Sequence, residues 1–312
     1  MNIVLLDSKT LGSDLDLTPL QELGELTTFS TTASSQTKKR IEDATIVITN
    51  KVVITKELMQ NSSKLKLICI AATGMNNVDL GAAEELGIMV KNVSGYSTNS
   101  VVQHTFALAL SLMQRVSYYN QSVQSGTWSD SDLFTDVSNP FCEIAGKKWG
   151  IIGLGTIGKE VARVAEAFGA NIEYFSTSGE NKINDYHHSE IDELLSICDI
   201  VSIHCPLNNT TQNLIDASKL KLLKDKAILL NLARGAIVNE EDLAEELNRR
   251  EIYVGLDVLA KEPIEKDNPL LHVKDKNRLI ITPHIAWSSI EARKKLLEGI
   301  VENIETFIKQ KT

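Results

Sequence analysis

Short apolar runs alternate with polar and helical segments through the first 93 residues of the chain. Strands and helices that alternate at this spacing indicate βαβ units, whose strands form a parallel sheet. The runs predicted as strands are Ile3–Leu6, Leu26–Phe29, Thr45–Thr49, Leu65–Ala71 and Ile88–Val93. The pattern therefore predicts an α/β domain in this part of the chain.

A second series of the same kind begins at Lys147. Its predicted strands lie near Lys148–Ile152, Ile172–Phe175, Ile200–His204, Ala227–Asn231, Tyr253–Asp257 and Leu279–Thr282. Six strands with intervening helices match the sheet of a dinucleotide-binding domain. The chain as a whole is thus expected to form two doubly wound α/β domains with parallel sheets.

The segment between the two series predicts one long helix over Val101–Val123. It carries Ala, Leu and Val on more than one face, and a helix that is apolar nearly all round is buried. We expect it to lie between the domains or against another subunit. The arm that follows, Gly126–Phe141, contains Trp128, Phe134 and Pro140 and is too apolar for a free linker. We expect this arm to pack on a partner subunit.

The chain ends with a predicted helix over about Ser289–Lys309. Its apolar residues repeat at helical spacing and form one stripe. The stripe consists of Leu297, Ile300, Ile304 and Phe307. We expect it to pack on the first domain, so that the chain ends in the domain in which it begins.

A glycine-rich turn follows the first strand of the second series. The stretch reads W-G-I-I-G-L-G-T-I-G-K-E, and its glycines after the strand are Gly153, Gly155 and Gly158. One glycine of such a turn allows the bend, one lets the backbone approach a pyrophosphate, and one lets helix and strand pack closely. The helix is predicted over Lys159–Phe168, and its N-terminus is suited to phosphates. We favour a dinucleotide site over a tight turn that binds nothing, because the flanking strand and helix are both present in the pattern.

The next strand end bears on which dinucleotide binds. An acidic residue about 20 positions after the glycine turn usually bonds the ribose 2′-hydroxyl of NAD, but Ser176 stands at this strand end, followed by Thr177. Without a carboxylate nothing repels a 2′-phosphate, and these hydroxyls together with Lys182 are able to hold one. No Arg is present there. The prediction is therefore NAD or NADP, and a solvated loop with no role in cofactor choice is the alternative.

Three ionisable residues follow successive strands of the second series: Arg234, Glu262 and His284. The carboxyl ends of parallel strands share one edge with the glycine turn, so all three side chains are expected to reach the same cleft. A guanidinium can hold a planar carboxylate through two hydrogen bonds, and an imidazole beside a carboxylate can act as acid and base. Taken singly, each residue also suits an ion pair, a surface charge or a helix cap, but their joint placement favours a catalytic set.

Other candidates at the same edge are weaker. Cys205 lies in H-C-P after a strand but lacks an evident acid–base partner, and Asp257 suits either a nicotinamide amide or nearby backbone donors. His104 on the long helix is expected to be packed rather than catalytic. The histidines of the predicted polar loops, expected to be solvated, are His187, His188 and His272.

Composition and charge exclude several other classes. The 312 residues suffice for two domains, and 43% hydrophobic with 23% charged residues is ordinary for a globular protein. The net charge of -9 disfavours nucleic-acid and anionic-membrane partners, which reward clustered Lys and Arg. Four scattered cysteines without C-x-x-C spacing predict reduced thiols and no metal site. The N-terminus enters a strand pattern without a signal-peptide pattern, so a cytoplasmic protein is expected.

The motifs G-L-G-T-I-G, H-C-P-L, N-L-A-R-G, G-L-D-V-L-A-K-E-P and T-P-H-I-A-W occur in this order and together resemble the D-isomer-specific 2-hydroxyacid dehydrogenase family. In the first domain, A-A-T-G-M-N-N-V-D-L and N-V-S-G-Y-S-T-N-S-V-V-Q-H-T are similar to the glycerate dehydrogenase, or hydroxypyruvate reductase, branch. The resemblance implies a flavodoxin-like substrate domain over 1–98 and 287–312. It also implies an inserted Rossmann-type cofactor domain over 99–286, and a homodimer formed mainly through that domain.

The resemblance also implies roles for single residues. Arg234 would bind the substrate carboxylate and carbonyl, His284 would exchange the proton, and Glu262 would tune His284. Main-chain groups around Thr73 and Gly74 would complete the carboxylate site. The implied cofactor contacts, besides those at the glycines, are Thr156, Ile157, Cys205, Pro206, Leu232, Ala233, Arg234, Asp257 and Ala286.

The function expected from the sequence is hydride transfer between NAD(P)H and a small 2-keto acid, with hydroxypyruvate and D-glycerate as the favoured pair. The enzymatic alternative is a D-lactate dehydrogenase or a broad 2-keto-acid reductase of the same family. An alternative of another class is a binding protein that senses dinucleotides, like the corepressor relatives of the family. The intact trio of ionisable residues favours the enzyme.

Overall fold

The computed structural model describes residues 1–179 and 185–310, so that Lys182 lies outside the described residues. The chain divides into two compact units. The terminal unit comprises Met1–Ser97 and Ser288–Thr312, and the inserted unit comprises Thr98–Trp287.

The first part of the terminal unit alternates strands and helices. Its elements are β1 (Asn2–Leu5), α1 (Thr18–Gln21), β2 (Glu25–Thr28), α2 (Ser34–Ile41), β3 (Ile46–Thr49), α3 (Lys56–Gln60), β4 (Leu67–Ile70), α4 (Leu80–Glu85) and β5 (Met89–Lys91). The strands form a parallel sheet in the order β2-β1-β3-β4-β5, the order of flavodoxin-like folds. Every residue of β3 and β4 is buried, as expected for central parallel strands with both faces covered.

The inserted unit contains the second series. Its elements are α5 (Thr98–Gln114), α6 (Val116–Gln124), β6 (Lys148–Ile152), α7 (Thr156–Ala167), β7 (Asn171–Phe175), β8 (His187–His188), α8 (Ile191–Ile197), β9 (Ile200–Ile203), α9 (Ala217–Leu220), β10 (Ile228–Asn231), α10 (Glu240–Arg249), β11 (Tyr253–Leu256) and β12 (Leu279–Ile281). All strand pairs are parallel, in the order β12-β11-β10-β9-β6-β7-β8. The β6–β9 pair is the switch point of a Rossmann-type sheet, where dinucleotides bind.

The last helix, α11 (Ile290–Lys309), returns to the terminal unit and packs on β4. The hydroxyl of Ser289 caps it by accepting a hydrogen bond from the amide of Ala292 at 3.1 Å. The predicted stripe is buried, and Leu296 and Ala292 extend it toward the N-terminus. The helix therefore covers one face of the terminal sheet with the residues that its periodicity selects.

The prediction of one helix over Val101–Val123 is wrong. The helix breaks at Arg115, whose φ of 51° is left-handed and cannot continue a right-handed helix. The guanidinium of Arg115 donates to the hydroxyl of Tyr253 at 2.7 Å, which holds the break against the sheet. Helix α5 buries its apolar residues on the sheet of the inserted unit, whereas α6 buries none.

The assignment of His187 and His188 to a polar loop is also wrong, because they form the edge strand β8, paired with β7. Both residues are exposed. The buried carboxylate of Glu173 on β7 accepts hydrogen bonds from His187 Nδ1 at 2.7 Å, Lys148 Nζ at 3.0 Å and the Ser189 hydroxyl at 3.0 Å. A run of polar residues thus pairs as a strand because one buried acid on the neighbouring strand binds its side chains.

The arm Gly126–Phe141 contains turns but neither helix nor strand. It exposes apolar side chains, among which Phe134 is 90% and Val137 74% exposed. The four cysteines are free thiols, three of them buried and Cys142 exposed. Within the described part of the chain, no helix has the length and apolar character needed to cross a membrane.

Candidate active site

The three glycines of the turn between β6 and α7 meet different constraints. Gly153 has a φ of +95°, and a Cβ there would lie 2.6 Å from the backbone nitrogen of Cys205. A Cβ at Gly158 would lie 2.2 Å from the carbonyl oxygen of Gly153. A Cβ at Gly155 would meet no atom within 4 Å. Gly153 and Gly158 are therefore required by the protein itself, and Gly155 leaves open space at the helix N-terminus.

Helix α7 begins at Thr156, three residues before the predicted start, with Gly155 as its N-cap. The amides of Thr156, Ile157 and Gly158 make no hydrogen bond to any described residue. Free amides beside open space, at the positive end of a helix dipole, suit a pyrophosphate. The turn thus fits the phosphates of a dinucleotide, with Thr156 and Ile157 in the first turn of the helix.

The candidate residues after β9, β10, β11 and β12 lie at the same edge of the sheet as the glycine turn. The register aligns Ile203 with Ile152 and Asn231, and it aligns Leu256 with Asn231 and Ile281. The residues that follow these strand ends are Cys205, Pro206, Leu232, Ala233, Arg234, Asp257, Glu262, His284 and Ala286. Parallel pairing therefore brings the predicted set to one edge of the inserted unit.

His284 and Glu262 form a hydrogen-bonded pair. His284 Nδ1 lies 2.7 Å from Glu262 Oε2, and about a quarter of each side chain is exposed. The other oxygen of Glu262, Oε1, accepts from the amide of Leu259 at 3.1 Å, which fixes the carboxylate in turn. His284 Nε2 makes no hydrogen bond to any described residue. The bond at Nδ1 therefore orients the ring, and Nε2 is available to bond a ligand.

Arg234 follows β10 in extended backbone conformation, with φ −145° and ψ 138°. Its half-buried guanidinium donates to the carbonyl of Ala233 at 2.8 Å. No carboxylate of a described residue lies within 4 Å of it. The side chain of Asn231 donates to the carbonyl of Arg234 at 2.9 Å and fixes the backbone there. A guanidinium with unused donors at this edge can bind the carboxylate of a ligand.

Asp257 is 1% exposed and holds the loop that carries His284. Its Oδ1 accepts from the Ile285 amide at 2.9 Å and the Thr282 hydroxyl at 2.6 Å, and its Oδ2 accepts from the Ala286 amide at 2.8 Å. The amide of His284 donates to the carbonyl of Asp257 at 2.8 Å. Asp257 thus satisfies backbone donors, one of the two alternatives left open by the sequence.

The sequence model of the NAD-binding domain of D-isomer specific 2-hydroxyacid dehydrogenases matches residues 106–286. The hydroxypyruvate reductase of Blautia hydrogenotrophica is 38% identical over 318 residues, which cover 99% of this chain and 97% of the relative. The chain belongs to the D-isomer specific 2-hydroxyacid dehydrogenase family.

Solved structures agree with the family assignment. A D-lactate dehydrogenase of Aquifex aeolicus, complexed with NAD and lactic acid, has a TM-score of 0.85 at 26% identity and covers 99% of this chain and 96% of its own. An acyclic imino acid reductase (Bsp5) in complex with NADPH and D-Arg has a TM-score of 0.87 at 29% identity, covering 99% and 98%. The two-unit fold of this dehydrogenase is therefore shared with enzymes solved with either nicotinamide cofactor.

In this dehydrogenase Ser176 follows β7 at the position where an acid is usual. It is 7% exposed, and its hydroxyl oxygen is buried without a hydrogen-bond partner among the described residues. Thr177 beside it is half-buried. An unsatisfied buried hydroxyl is an available donor and acceptor. The described residues at this strand end, Ser176–Gly179, thus offer neutral polar groups, and no carboxylate, to a ribose or its phosphate.

The H-C-P segment after β9 carries no ionised group. Burial lowers the pKa of His204 to about 3, and neither ring nitrogen has a partner in the described part of the chain. Burial likewise raises the pKa of the Cys205 thiol to about 11. At neutral pH the ring is neutral and the thiol protonated, so this wall beside the glycine turn suits the uncharged part of a ligand.

Thr73 and Gly74 belong to the terminal unit and lie in the loop after β4. The Thr73 hydroxyl donates to the carbonyl of Val93 at 3.1 Å, and the Thr73 carbonyl accepts from the Asn92 side chain at 2.6 Å. Thr73 is exposed and Gly74 half-buried. These bonds tie the loop to the chain that follows β5.

Thr282 was not singled out from the sequence, although its hydroxyl lies between His104 and Asp257. The one indication in the sequence that Thr282 bears on the site is its position in T-P-H, two residues before His284. His272 is exposed at the end of a short 3-10 helix. The described residues contain no group of three His, Cys, Asp or Glu side chains placed to hold a metal ion.

Proposed function

We propose that this dehydrogenase transfers hydride reversibly between NAD(P)H and a small 2-keto acid, with hydroxypyruvate reduced to D-glycerate as its main reaction. The observation that carries the proposal is the His284–Glu262 pair, 2.7 Å apart, at the sheet edge that also holds Arg234 and the glycine turn. The substrate is suggested by the relative that is 38% identical over nearly both full lengths and is named a hydroxypyruvate reductase.

His284 supplies the proton in the reductive direction. Glu262 accepts the hydrogen on Nδ1 and leaves Nε2 as the atom that faces the substrate. Nε2 donates its proton to the keto oxygen as the hydride adds to the keto carbon, so that the alcohol forms without a charged intermediate. The carboxylate stabilises the protonated ring before transfer and orients it afterwards. A bound NADH or NADPH supplies the hydride.

Arg234 binds and orients the substrate acid. Its unused N–H donors form a fork that fits a carboxylate through two hydrogen bonds. The main-chain groups of Thr73 and Gly74 are proposed as further carboxylate contacts. A substrate held at its carboxylate presents its keto group in a fixed orientation, which lowers the entropic cost of reaction.

The cofactor contacts are proposed from the same edge. The amides of Thr156, Ile157 and Gly158 would hold the pyrophosphate, and Gly153 and Gly155 would allow it to approach the backbone of the turn. Further contacts would come from the uncharged residues Cys205, Pro206, Leu232, Ala233 and Ala286, and from the carboxylate of Asp257. Ser176 and Thr177 would meet the ribose, and because they carry no charge at neutral pH we propose that both NADH and NADPH are accepted.

A D-lactate or broad 2-keto-acid reductase is the second candidate. The solved D-lactate dehydrogenase covers almost the same length with a TM-score of 0.85. The two candidates share the chemistry described above and differ in the substrate that they prefer. The C3 group of the acid is hydroxymethyl in hydroxypyruvate and methyl in pyruvate.

A steady-state screen separates these readings. Hydroxypyruvate, pyruvate and glyoxylate are each tested with NADH and with NADPH, and kcat/KM is compared. The proposal expects the highest kcat/KM with hydroxypyruvate. A higher kcat/KM with pyruvate would favour the second candidate. If the protein binds NADH but turns over none of the three acids, the proposal of an enzyme fails and a dinucleotide-sensing protein is favoured.

We also propose that the protein is a cytoplasmic homodimer without nucleic-acid or membrane partners. The exposed apolar side chains of the arm Gly126–Phe141 support the dimer, because monomers rarely leave contiguous apolar surface in water. The net charge of -9 supports the absence of polyanionic partners.

A further inference from the structure

His104 lies on α5, outside the proposed catalytic trio, and its side chain is 18% exposed. Its Nε2 is 2.9 Å from the Thr282 hydroxyl oxygen and 3.5 Å from Asp257 Oδ1. A histidine that merely fills space on an apolar helix face needs no such partners. Its ring is instead aimed at the residues that hold the loop of His284.

The direction of these hydrogen bonds follows from the donors available. Thr282 has one hydroxyl hydrogen, and at 2.6 Å from Asp257 Oδ1 it donates to the carboxylate, which when ionised can only accept. The Thr282 oxygen must then accept from His104, so His104 Nε2 carries a hydrogen. The three side chains form a directed chain from imidazole to hydroxyl to carboxylate.

The carboxylate at the end of this chain holds the loop. It accepts from the amides of Ile285 and Ala286, and the amide of His284 bonds the carbonyl of the same residue. His284 itself has a φ of 54°, a region that most residues with a side chain avoid and that persists only where surrounding bonds enforce it. The orientation of the His284 ring therefore depends on how firmly Asp257 is held.

We propose that His104 is a positioning residue for the hydride transfer proposed above, acting through Thr282 and Asp257 on the loop of His284. The inference rests on the proposed function for its kinetic consequence. Donation from His104 polarises the Thr282 hydroxyl and strengthens its bond to Asp257, because hydrogen bonds in a chain of low dielectric reinforce one another.

Without His104 the Thr282 hydroxyl has another acceptor. The carbonyl of Leu256 lies 3.5 Å from Thr282 Oγ1, a distance that rotation and a small shift can shorten. A hydroxyl turned to Leu256 leaves Oδ1 of Asp257 with one donor fewer. The carboxylate then has one bond fewer to fix its position, so the Ile285 and Ala286 amides that it accepts from are held less firmly, and the loop samples orientations in which the His284 ring is misplaced.

The test uses the full chain, four single variants, and the double variant that combines His104→Phe with Thr282→Val. His104→Phe removes the donor and keeps the volume of a ring, and Thr282→Val removes the middle hydroxyl. His104→Gln keeps an N–H donor in the side chain. Thr105→Val is the matched control, since it removes a buried hydroxyl of α5 whose one hydrogen bond among the described residues is to the carbonyl of Val101, at 2.8 Å. The readouts are kcat and KM for hydroxypyruvate, the Kd of NADH, and the hydrogen exchange of the Ile285 and Ala286 amides.

His104→Phe and Thr282→Val are each expected to lower kcat about tenfold, with the Kd of NADH changed less than about twofold, because each removes one hydrogen bond of the chain that ends at the Asp257 carboxylate. The double variant should lose no more than either single variant, because both break one chain. His104→Gln should recover most of kcat. Exchange of the two amides should rise about tenfold in His104→Phe, and not in Thr105→Val.

Unchanged kcat and unchanged exchange in His104→Phe would overturn the proposal, as would a double variant whose loss is the product of the single losses. The exchange readout does not depend on turnover. If the wild-type protein reduces none of the acids while exchange responds as stated, the proposed function fails and the positioning of the loop by His104 stands.

Discussion

At the scale of residues, the two nitrogens of His284 are given separate tasks by their surroundings. Nδ1 is bonded to Glu262, and Glu262 is itself held by the Leu259 amide. This leaves Nε2 as the one ring nitrogen able to reach a ligand. The carboxylate that orients the ring and the buried Asp257 that holds its backbone are different residues. The orientation of the ring is therefore fixed from two sides, through its side chain and through its backbone.

Ser176 provides a prediction about the cofactor. In Ser176→Asp, the new carboxylate would repel a 2′-phosphate and accept a hydrogen bond from a 2′-hydroxyl. The ratio of kcat/KM with NADPH to kcat/KM with NADH is expected to fall by at least about tenfold, which corresponds to about 1.4 kcal/mol. Ser178→Asp, two residues further along the loop, is the control and should change the ratio less. An unchanged ratio in Ser176→Asp would remove this strand end from cofactor recognition.

The placement of the three candidate catalytic residues at strand ends was predictable from the sequence. Arg234, Glu262 and His284 stand at strand ends, and strand ends can be read from apolar runs followed by polar residues. The His104–Thr282 contact could not be predicted, because it joins a helix and a strand end 178 positions apart in the chain. Contacts of that kind depend on the packing of α5 on the sheet, which no local pattern encodes.

At the scale of elements, two glycines of the turn between β6 and α7 are expected to affect different properties, Gly155 the binding of NADH and Gly158 the stability of the fold. A Cβ on Gly155 meets no protein atom, and its φ of −80° is open to any residue, whereas a Cβ on Gly158 would collide with the carbonyl of Gly153. Gly155→Ala is expected to keep the melting temperature within about 2 °C and to raise the Kd of NADH at least about tenfold, because the methyl group fills the space at the helix N-terminus.

Gly158→Ala is the matched variant, and we expect its main effect to be on the melting temperature rather than on the Kd of NADH. It is expected to lower the melting temperature by about 5 °C or more, since the helix must move away from the strand to admit the methyl group. Calorimetry and NADH fluorescence titration measure the two quantities. Unchanged NADH affinity in Gly155→Ala would show that the dinucleotide does not approach this turn.

The contacts between the edge strand β8 and Glu173 should make the free energy of unfolding depend on pH. Burial opposes ionisation of Glu173, but its bonds to Lys148, His187 and Ser189 outweigh burial and lower its pKa below the ordinary value of 4.5. The ionised group therefore stabilises the fold above that value, and the contribution is lost as pH falls through the lowered pKa. Glu173→Gln should be less stable than wild type at pH 7, and the difference in the free energy of unfolding should shrink below about pH 4.5. A difference that stays constant from pH 7 to pH 3 would contradict the assignment.

Elements were predicted well where periodicity is strong and poorly where a single residue decides. The strands of both sheets other than β8, and the last helix, follow from apolar runs and one apolar stripe. The break at Arg115 depends on one left-handed residue that is not glycine, and apolar spacing continues through it. Strand β8 consists of polar residues whose pairing depends on the buried acid of Glu173. Neither feature leaves a hydrophobic signal.

At the scale of the whole molecule, the exposed apolar side chains of the arm Gly126–Phe141 lead us to expect a homodimer formed through this arm. Its side chains Phe134 and Val137 are exposed by 90% and 74%, and burying them against a second copy would remove apolar surface from water. Light scattering after size exclusion is expected to give about twice the chain mass of 34.4 kDa. Phe134→Asp combined with Val137→Asp should shift the protein toward the monomer.

The control for this prediction is Leu271→Asp, which charges an apolar side chain of the same unit that is 38% exposed and lies outside the arm. It should leave the dimer intact. A wild-type protein that runs at the monomer mass at micromolar concentration would contradict the dimer, and dissociation by Leu271→Asp as well would show that the arm is not the specific contact.

Transfer of the proton by His284 during reduction of a 2-keto acid can be tested by a single comparison. Hydroxypyruvate turnover at saturating NADH is measured for the wild-type protein and for His284→Ala, together with the Kd of NADH for each. We expect kcat to fall by at least about 100-fold in His284→Ala, the usual contribution of a general acid, and the Kd of NADH to change less than about twofold. Turnover of His284→Ala within a few-fold of wild type would contradict the claim.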